Sequence, residues 1–135
     1  MYKFLIKILL VSFLFVGCTK FEEGPKISLF SKAKRIIRTW EIEYVHDLTV
    51  DEIYTSDYDG WSFSPQRNSV YSKKHLYNGI ESQEDGFWKF EDDILFLIHE
   101  EEEIEYEEQY KVLRLTTKEL WISNDKEEIH YVVQD

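Results

Sequence analysis

Trp40-Glu41-Ile42-Glu43-Tyr44-Val45 decides the fold class, because apolar and charged side chains alternate there with a period of two. Successive side chains of an extended strand point to opposite faces, so Trp40, Ile42 and Tyr44 are expected on one half-buried face with Glu41 and Glu43 in water. The pattern recurs downstream. Trp61 and Phe63 alternate with Ser62 and Ser64, Pro65-Gln66-Arg67-Asn68 turns into residues 70–77, and Asn78-Gly79 starts the next connection. Trp88 and Phe90 share a face, and Glu91-Asp92-Asp93 is a tight turn into Ile94-Leu95-Phe96-Leu97-Ile98. That strand is apolar on both faces and calls for a covering element outside the core. Tyr106, Tyr110 and Val112 keep one parity and Leu113 and Leu115 the other, which predicts a bulge near Lys111. Residues 120–122 and 129–133 are two last strands joined across Asn124-Asp125. Between the first strand and Trp61, residues 48–58 carry no clear period; Val50, Ile53 and Tyr54 suit one helical turn across the sheet end. The expected fold is all-β: a small antiparallel up-and-down barrel of about eight strands, closed because an open acidic meander would leave two unprotected edges.

Upstream of Trp40 the period is helical. Ser28 can cap a short amphipathic helix in which Leu29, Ala33, Ile36 and Ile37 form the apolar stripe and Lys32, Lys34 and Arg35 lie opposite. So short a helix must pack on something, and the outer face of residues 94–98 is the expected partner. Before it, Glu22, Glu23, Gly24 and Pro25 read as a tether. Lys3 and Lys7 precede an apolar run from Ile8 to Val16, broken only by Ser12, and Gly17 follows. This is the layout of a secretory signal. Its core is about half the roughly 20 residues of a membrane span, which favours cleavage over retention. Phe15-Val16-Gly17-Cys18 resembles the lipobox of bacterial lipoproteins, and that resemblance implies a mature N-terminus at Cys18 carrying palmitate-type acyl chains. The expected division is a signal peptide at 1–17, a lipid-anchored tether at 18–27 and the barrel domain at 28–135. An ordinary cleaved signal and an uncleaved anchor are the alternatives.

The chain of 135 residues has a formal charge of −11, and losing residues 1–17 removes two lysines and no acid, leaving −13. Such a surface repels phosphate backbones and excludes nucleic acid as a partner. Residues 19–38 hold six basic side chains against Glu22 and Glu23, whereas residues 39–135 hold eight against 25 acids. The basic segment either lies on an anionic membrane surface or complements a helix terminus and the acidic body. Cys18 is the only cysteine, so an acylated chain has no thiol left for a disulfide, a nucleophile or zinc.

Phe21-Glu22-Glu23-Gly24-Pro25, Ser28-Leu29, Arg35-Ile36 and Thr39-Trp40 together resemble the start of the lipocalin-like domains found in lipoproteins of Gram-negative bacteria. Phe87-Trp88-Lys89-Phe90 before an acidic turn, and Glu119-Leu120-Trp121, are similar to that family's later strands. The broad lipocalin pattern has glycine two residues before the tryptophan, where this chain has Arg38. The resemblance implies a barrel that holds a small apolar ligand, and an address at the outer membrane, on its periplasmic face or at the cell surface. Fold alone does not fix function.

Seven glutamates fall between Glu100 and Glu108, but on a strand they point alternately to opposite faces and read as a solvated hairpin end rather than a calcium site. Asp57, Asp59 and Gly60 mimic part of a calcium loop whose first and last ligand positions would be Thr55 and Gln66. His46, His75, His99 and His130 sit on separate strands with no metal-binding spacing. No phosphate-binding glycine loop or Gly-x-Ser-x-Gly elbow occurs, so no metal, cofactor or catalytic activity is expected. The rings Trp40, Tyr44, Trp61, Phe63, Trp88 and Tyr106 are the expected interior, ligand-lining residues of a mostly filled barrel with a shallow mouth. The function expected is a lipid-anchored, non-catalytic binding module for a small apolar or amphipathic ligand. The alternative is an accessory lipoprotein that contacts another envelope protein through exposed rings such as Tyr58, Tyr71 and Tyr77.

Overall fold

A computed structural model describes residues 31–134, so the signal segment, Cys18, the tether and Ser28 lie outside the described residues. Helix α1 (Lys32–Ile36) precedes strands β1 (Trp40–Asp47), β2 (Glu52–Tyr54), β3 (Ser62–Pro65), β4 (Val70–Tyr77) and β5 (Ile80–Glu91). β6 (Ile94–Glu101), β7 (Ile104–Leu115), β8 (Glu119–Ser123) and β9 (Glu127–Val133) complete the chain. The strands form one antiparallel sheet in the order β2-β1-β3-β4-β5-β6-β7-β8-β9, and β1 also pairs with β9, closing it. Eight strands make the cylinder. The ninth, β2, pairs with β1 at Val45–Asp47, beyond the point where β3 joins at Trp40 and Glu41. Residues 48–58 thus form a strand and a one-turn 3-10 helix (Ser56–Tyr58), not the single helical turn expected. The register of Ile53 and Tyr54 opposite His46 and Val45 satisfies backbone groups that a crossing helix would leave open.

Turn chemistry sets the hairpins. Asn78-Gly79, Asp92-Asp93 and Glu102-Glu103 each place two residues at positive φ, the two-residue turn whose twist matches that of antiparallel strands. Two bulges reset the parity. On β1, Ile42 pairs with Tyr131 and Tyr44 with His130, so Glu43 is extra. On β7, Val112 pairs with Ile122 and Arg114 with Trp121, which puts the expected bulge at Leu113.

The lower half of the barrel is solid. Trp40, Phe63, Tyr71, Leu95, Leu97, Leu120 and Ile122 are each at most 1% exposed, and burying such a side chain contributes about 1.5–3 kcal/mol. Gly86 makes room for one of them, because a Cβ there would meet the Ile98 carbonyl and lie 2.8 Å from the Tyr71 ring. α1 closes this end. Ser31 caps it, Ile36 is fully buried, and the Ile36 carbonyl accepts from Trp40 Nε1 at 2.8 Å. Lys32 pairs with Asp93, and Arg35 Nη1 donates to the Leu115 carbonyl at 2.9 Å. The helix is therefore a plug at the base and not a cover for the outer face of β6. There Ile94, Phe96 and Ile98 stay half-buried, with Lys89 Nζ 4.6 Å from the Phe96 ring centre.

Candidate ligand-binding site

Above the solid core, the end of the barrel opposite α1 encloses a cavity of about 240 Å³. Ile42, Val45 and Ile129 form its floor with Tyr131, and Tyr58, Trp61, His75 and Tyr110 supply rings around it. Its charged groups are Lys73, Glu84, Glu108 and Glu127. A wider hollow at the rim, about 570 Å³ and lined by Asp47, Asp125 and Lys126 among others, shares Glu108, Tyr110 and Glu127 with it.

Strand register explains the convergence. Tyr71, Lys73 and His75 share the inward parity of β4, and Lys73 stands opposite Glu84 of β5. Glu108 shares the parity of Tyr110 on β7, and Glu127 that of Ile129 on β9. Lys73 Nζ lies 3.1 Å from Glu108 Oε2 and 3.8 Å from Glu84 Oε2. Tyr71 Oη donates to Glu84 Oε2 at 2.8 Å, and Tyr110 Oη approaches Glu108 Oε2 at 3.4 Å. His99 Nε2 is 3.6 Å from Glu84 Oε1, and its ring stacks on Tyr106 with centres 5.3 Å apart.

The field here is acidic and poorly hydrated. Burial, reinforced by the Glu108 charge, raises the Glu127 carboxyl above the ordinary glutamate value. Burial raises the Tyr110 and Tyr131 phenols too, with nearby glutamates adding to the effect. His75 is lowered, by burial first and then by the Lys73 charge. His75 also stacks on Trp61 with ring centres 4.3 Å apart, while Tyr58 meets Trp61 edge-on at 4.9 Å. Among the described residues no group of three His, Cys, Asp or Glu is placed to hold a metal ion.

The six rings expected inside separate into three sets. Trp40, Phe63 and Trp88 are buried in the solid half, and Trp88 Nε1 donates to the Gln66 carbonyl at 2.9 Å. Trp61 alone of the six lines the cavity. Tyr44 and Tyr106 do not. The Glu43 bulge turns Tyr44 to the outer wall, where it stacks on His130 at 4.2 Å beside Trp121, itself 4.3 Å from His130. Tyr106 has the inward parity but stands on the part of β7 that overshoots the rim, and is 44% exposed. Of the rings expected on the outside, Tyr77 is exposed, Tyr58 lines the cavity and Tyr71 is fully buried. The charged residues of the site, Lys73, Glu84, Glu108 and Glu127, were missed. One signal pointed to Glu108, a glutamate at the same parity as Tyr106 and Tyr110.

No family profile and no curated protein sequence matches this chain. Solved structures do. A lipocalin-like protein from Bacteroides uniformis superposes with a TM-score of 0.64 at 12% identity, covering 74% of this chain and 99% of its own. An uncharacterized protein from Bacteroides eggerthii superposes with a TM-score of 0.62 at 11% identity, covering 73% of this chain and 98% of its own. Strand order, closure and these superpositions agree that the described residues fold as a lipocalin-like β-barrel.

Proposed function

We propose that this chain is a non-catalytic binding module, anchored in the cell envelope by lipid on Cys18, that holds a small amphipathic molecule at the mouth of its barrel. The observation that carries the reading is the partly enclosed cavity above a solid core, at the end where barrels of this kind bind ligands. Its mixed lining favours an amphipathic ligand over a purely apolar one, since buried carboxylates need partners. The outer-membrane address rests on the signal-like segment and on Cys18. It gains support from the base, where Lys34, Arg35, Arg38 and Arg67 surround Ile37 at the end where the described chain begins. A basic base suits an anionic leaflet and would turn the acidic mouth away from it.

Mass spectrometry of protein extracted from native membranes tests this. The expected result is a chain beginning at an acylated Cys18, with a small molecule released on denaturation. A full-length chain with a free thiol and nothing bound would overturn the proposal. The accessory-protein alternative has one observation of its own, the outer-wall stack of Tyr44, His130 and Trp121, and envelope crosslinking from Trp121 would reveal such a partner.

A further inference from the structure

We propose that the mouth cavity selects a small organic cation, an ammonium group on a compact apolar body, with Glu127 as its counter-ion. This rests on the reading of the barrel as a binding module.

Three carboxylates and one ammonium face the cavity, so its walls are net negative before any ligand arrives. Two of the three are already satisfied. Glu84 has Tyr71 and Lys73, and Glu108 has Lys73 and Tyr110. Glu127 has no cation within 4 Å among the described residues, the Lys73 and Lys126 charges reaching it only from farther off, although it is half-buried and borders both the cavity and the rim hollow. An apolar ligand seated there would strip water from Glu127 and return nothing, and a carboxylate ligand would meet like charge. An ammonium supplies both the charge and the hydrogen bonds that the site lacks.

The walls favour the same class. Tyr58, Trp61, Tyr110 and Tyr131 are rings whose π faces attract cations, and Ile42, Val45 and Ile129 accommodate an apolar body. The volume of about 240 Å³ equals that of about eight waters at the ~30 Å³ each takes in the liquid, room for a body of one-ring size rather than a long acyl chain. Asp47 and Asp125 at the rim, against Lys126, extend the negative potential outward and would raise the capture rate of a cation.

The test compares three probes of one shape on the full chain: 2-phenylethylammonium, 2-phenylethanol and phenylacetate, each titrated while the Trp61 indole resonance is followed. The ammonium should bind about tenfold or more tightly than the alcohol, and phenylacetate more weakly than either. In Glu127→Gln the ratio of ammonium to alcohol affinity should fall to about one. Equal binding of the ammonium and the alcohol, or a preference for phenylacetate, overturns the cation assignment and leaves the binding module standing. Absence of binding by all three at millimolar concentration overturns both. If Glu127→Gln does not fold, the three-probe ranking on the unaltered chain decides alone.

Discussion

Lys73 Nζ on β4 reaches Glu108 Oε2 on β7 at 3.1 Å, an ion pair that spans the lumen between strands that are not neighbours in the sheet. Lys73 is 15% exposed at its side chain and Glu108 40%, so one partner is largely dry and the other partly wet. Lys73→Met should therefore cost about 1–2 kcal/mol, less than the 3–5 of a fully buried pair. The double variant Lys73→Met with Glu108→Gln should recover part of that loss, because it removes the stranded charge. Urea unfolding of both variants checks this, and a double variant less stable than the single one would contradict it.

The Glu127 carboxyl is raised by its burial and by Glu108, so the native state binds its proton more tightly than the unfolded chain does. Its contribution to stability is full below the ordinary glutamate value and is lost as pH rises through the raised one. Glu127→Gln keeps the group uncharged throughout. Relative to the unaltered chain, the variant should gain stability between about pH 4 and about pH 7. Urea midpoints at the two pH values measure this, and a difference that stays flat contradicts it.

His75 has the opposite sign. Burial, and then Lys73, depress its value, so its contribution is present above the ordinary histidine range and is lost as pH falls through the lowered one. His75→Phe retains a ring against Trp61 without the titration. The variant should gain on the unaltered chain as pH drops from about 7 to about 5, followed by thermal unfolding.

Glu102 and Glu103 hold φ of 52° and 65° in the β6–β7 turn, a conformation that side chains other than glycine and asparagine adopt at a cost. The double substitution Glu102→Asn with Glu103→Gly should stabilise the fold by about 1 kcal/mol and relieve two like charges at the tip. A lowered urea midpoint would contradict this account of the turn.

Gly86→Ala should destabilise by about 1–3 kcal/mol, because the added methyl meets the Ile98 carbonyl as well as the Tyr71 ring. Adding Tyr71→Leu should not rescue it, since the backbone oxygen cannot move aside. Full rescue in the double variant would show that the ring alone is the obstacle.

The strands were legible where one face is wet, as at Trp40, Trp61 and Trp88, because alternation is then forced by burial. Asn78-Gly79 and Asp92-Asp93 announced their turns by composition. The Leu113 bulge left a visible break in parity, but the Glu43 bulge did not, since Tyr44 reads as acceptably on either face. β2 was missed because Ile53 and Tyr54 are held by pairing with β1 and carry no pattern of their own. The acids of the site were hidden by abundance. With 25 acidic residues after Arg38, composition cannot say which three turn inward, and only the register of β5, β7 and β9 does.

The edge of β1 is divided between two neighbours, β3 at Trp40 and Glu41 and the short β2 from Val45 onward. The cylinder consequently has a clasp rather than a uniform hoop, bridged at its middle by the Ile42 amide donating to the Trp61 carbonyl at 3.3 Å. Sub-global opening of the wall would begin at this clasp, and amide exchange there would outpace that of β8 and β9. Unlatching it would widen the lumen sideways, without unfolding the plugged end.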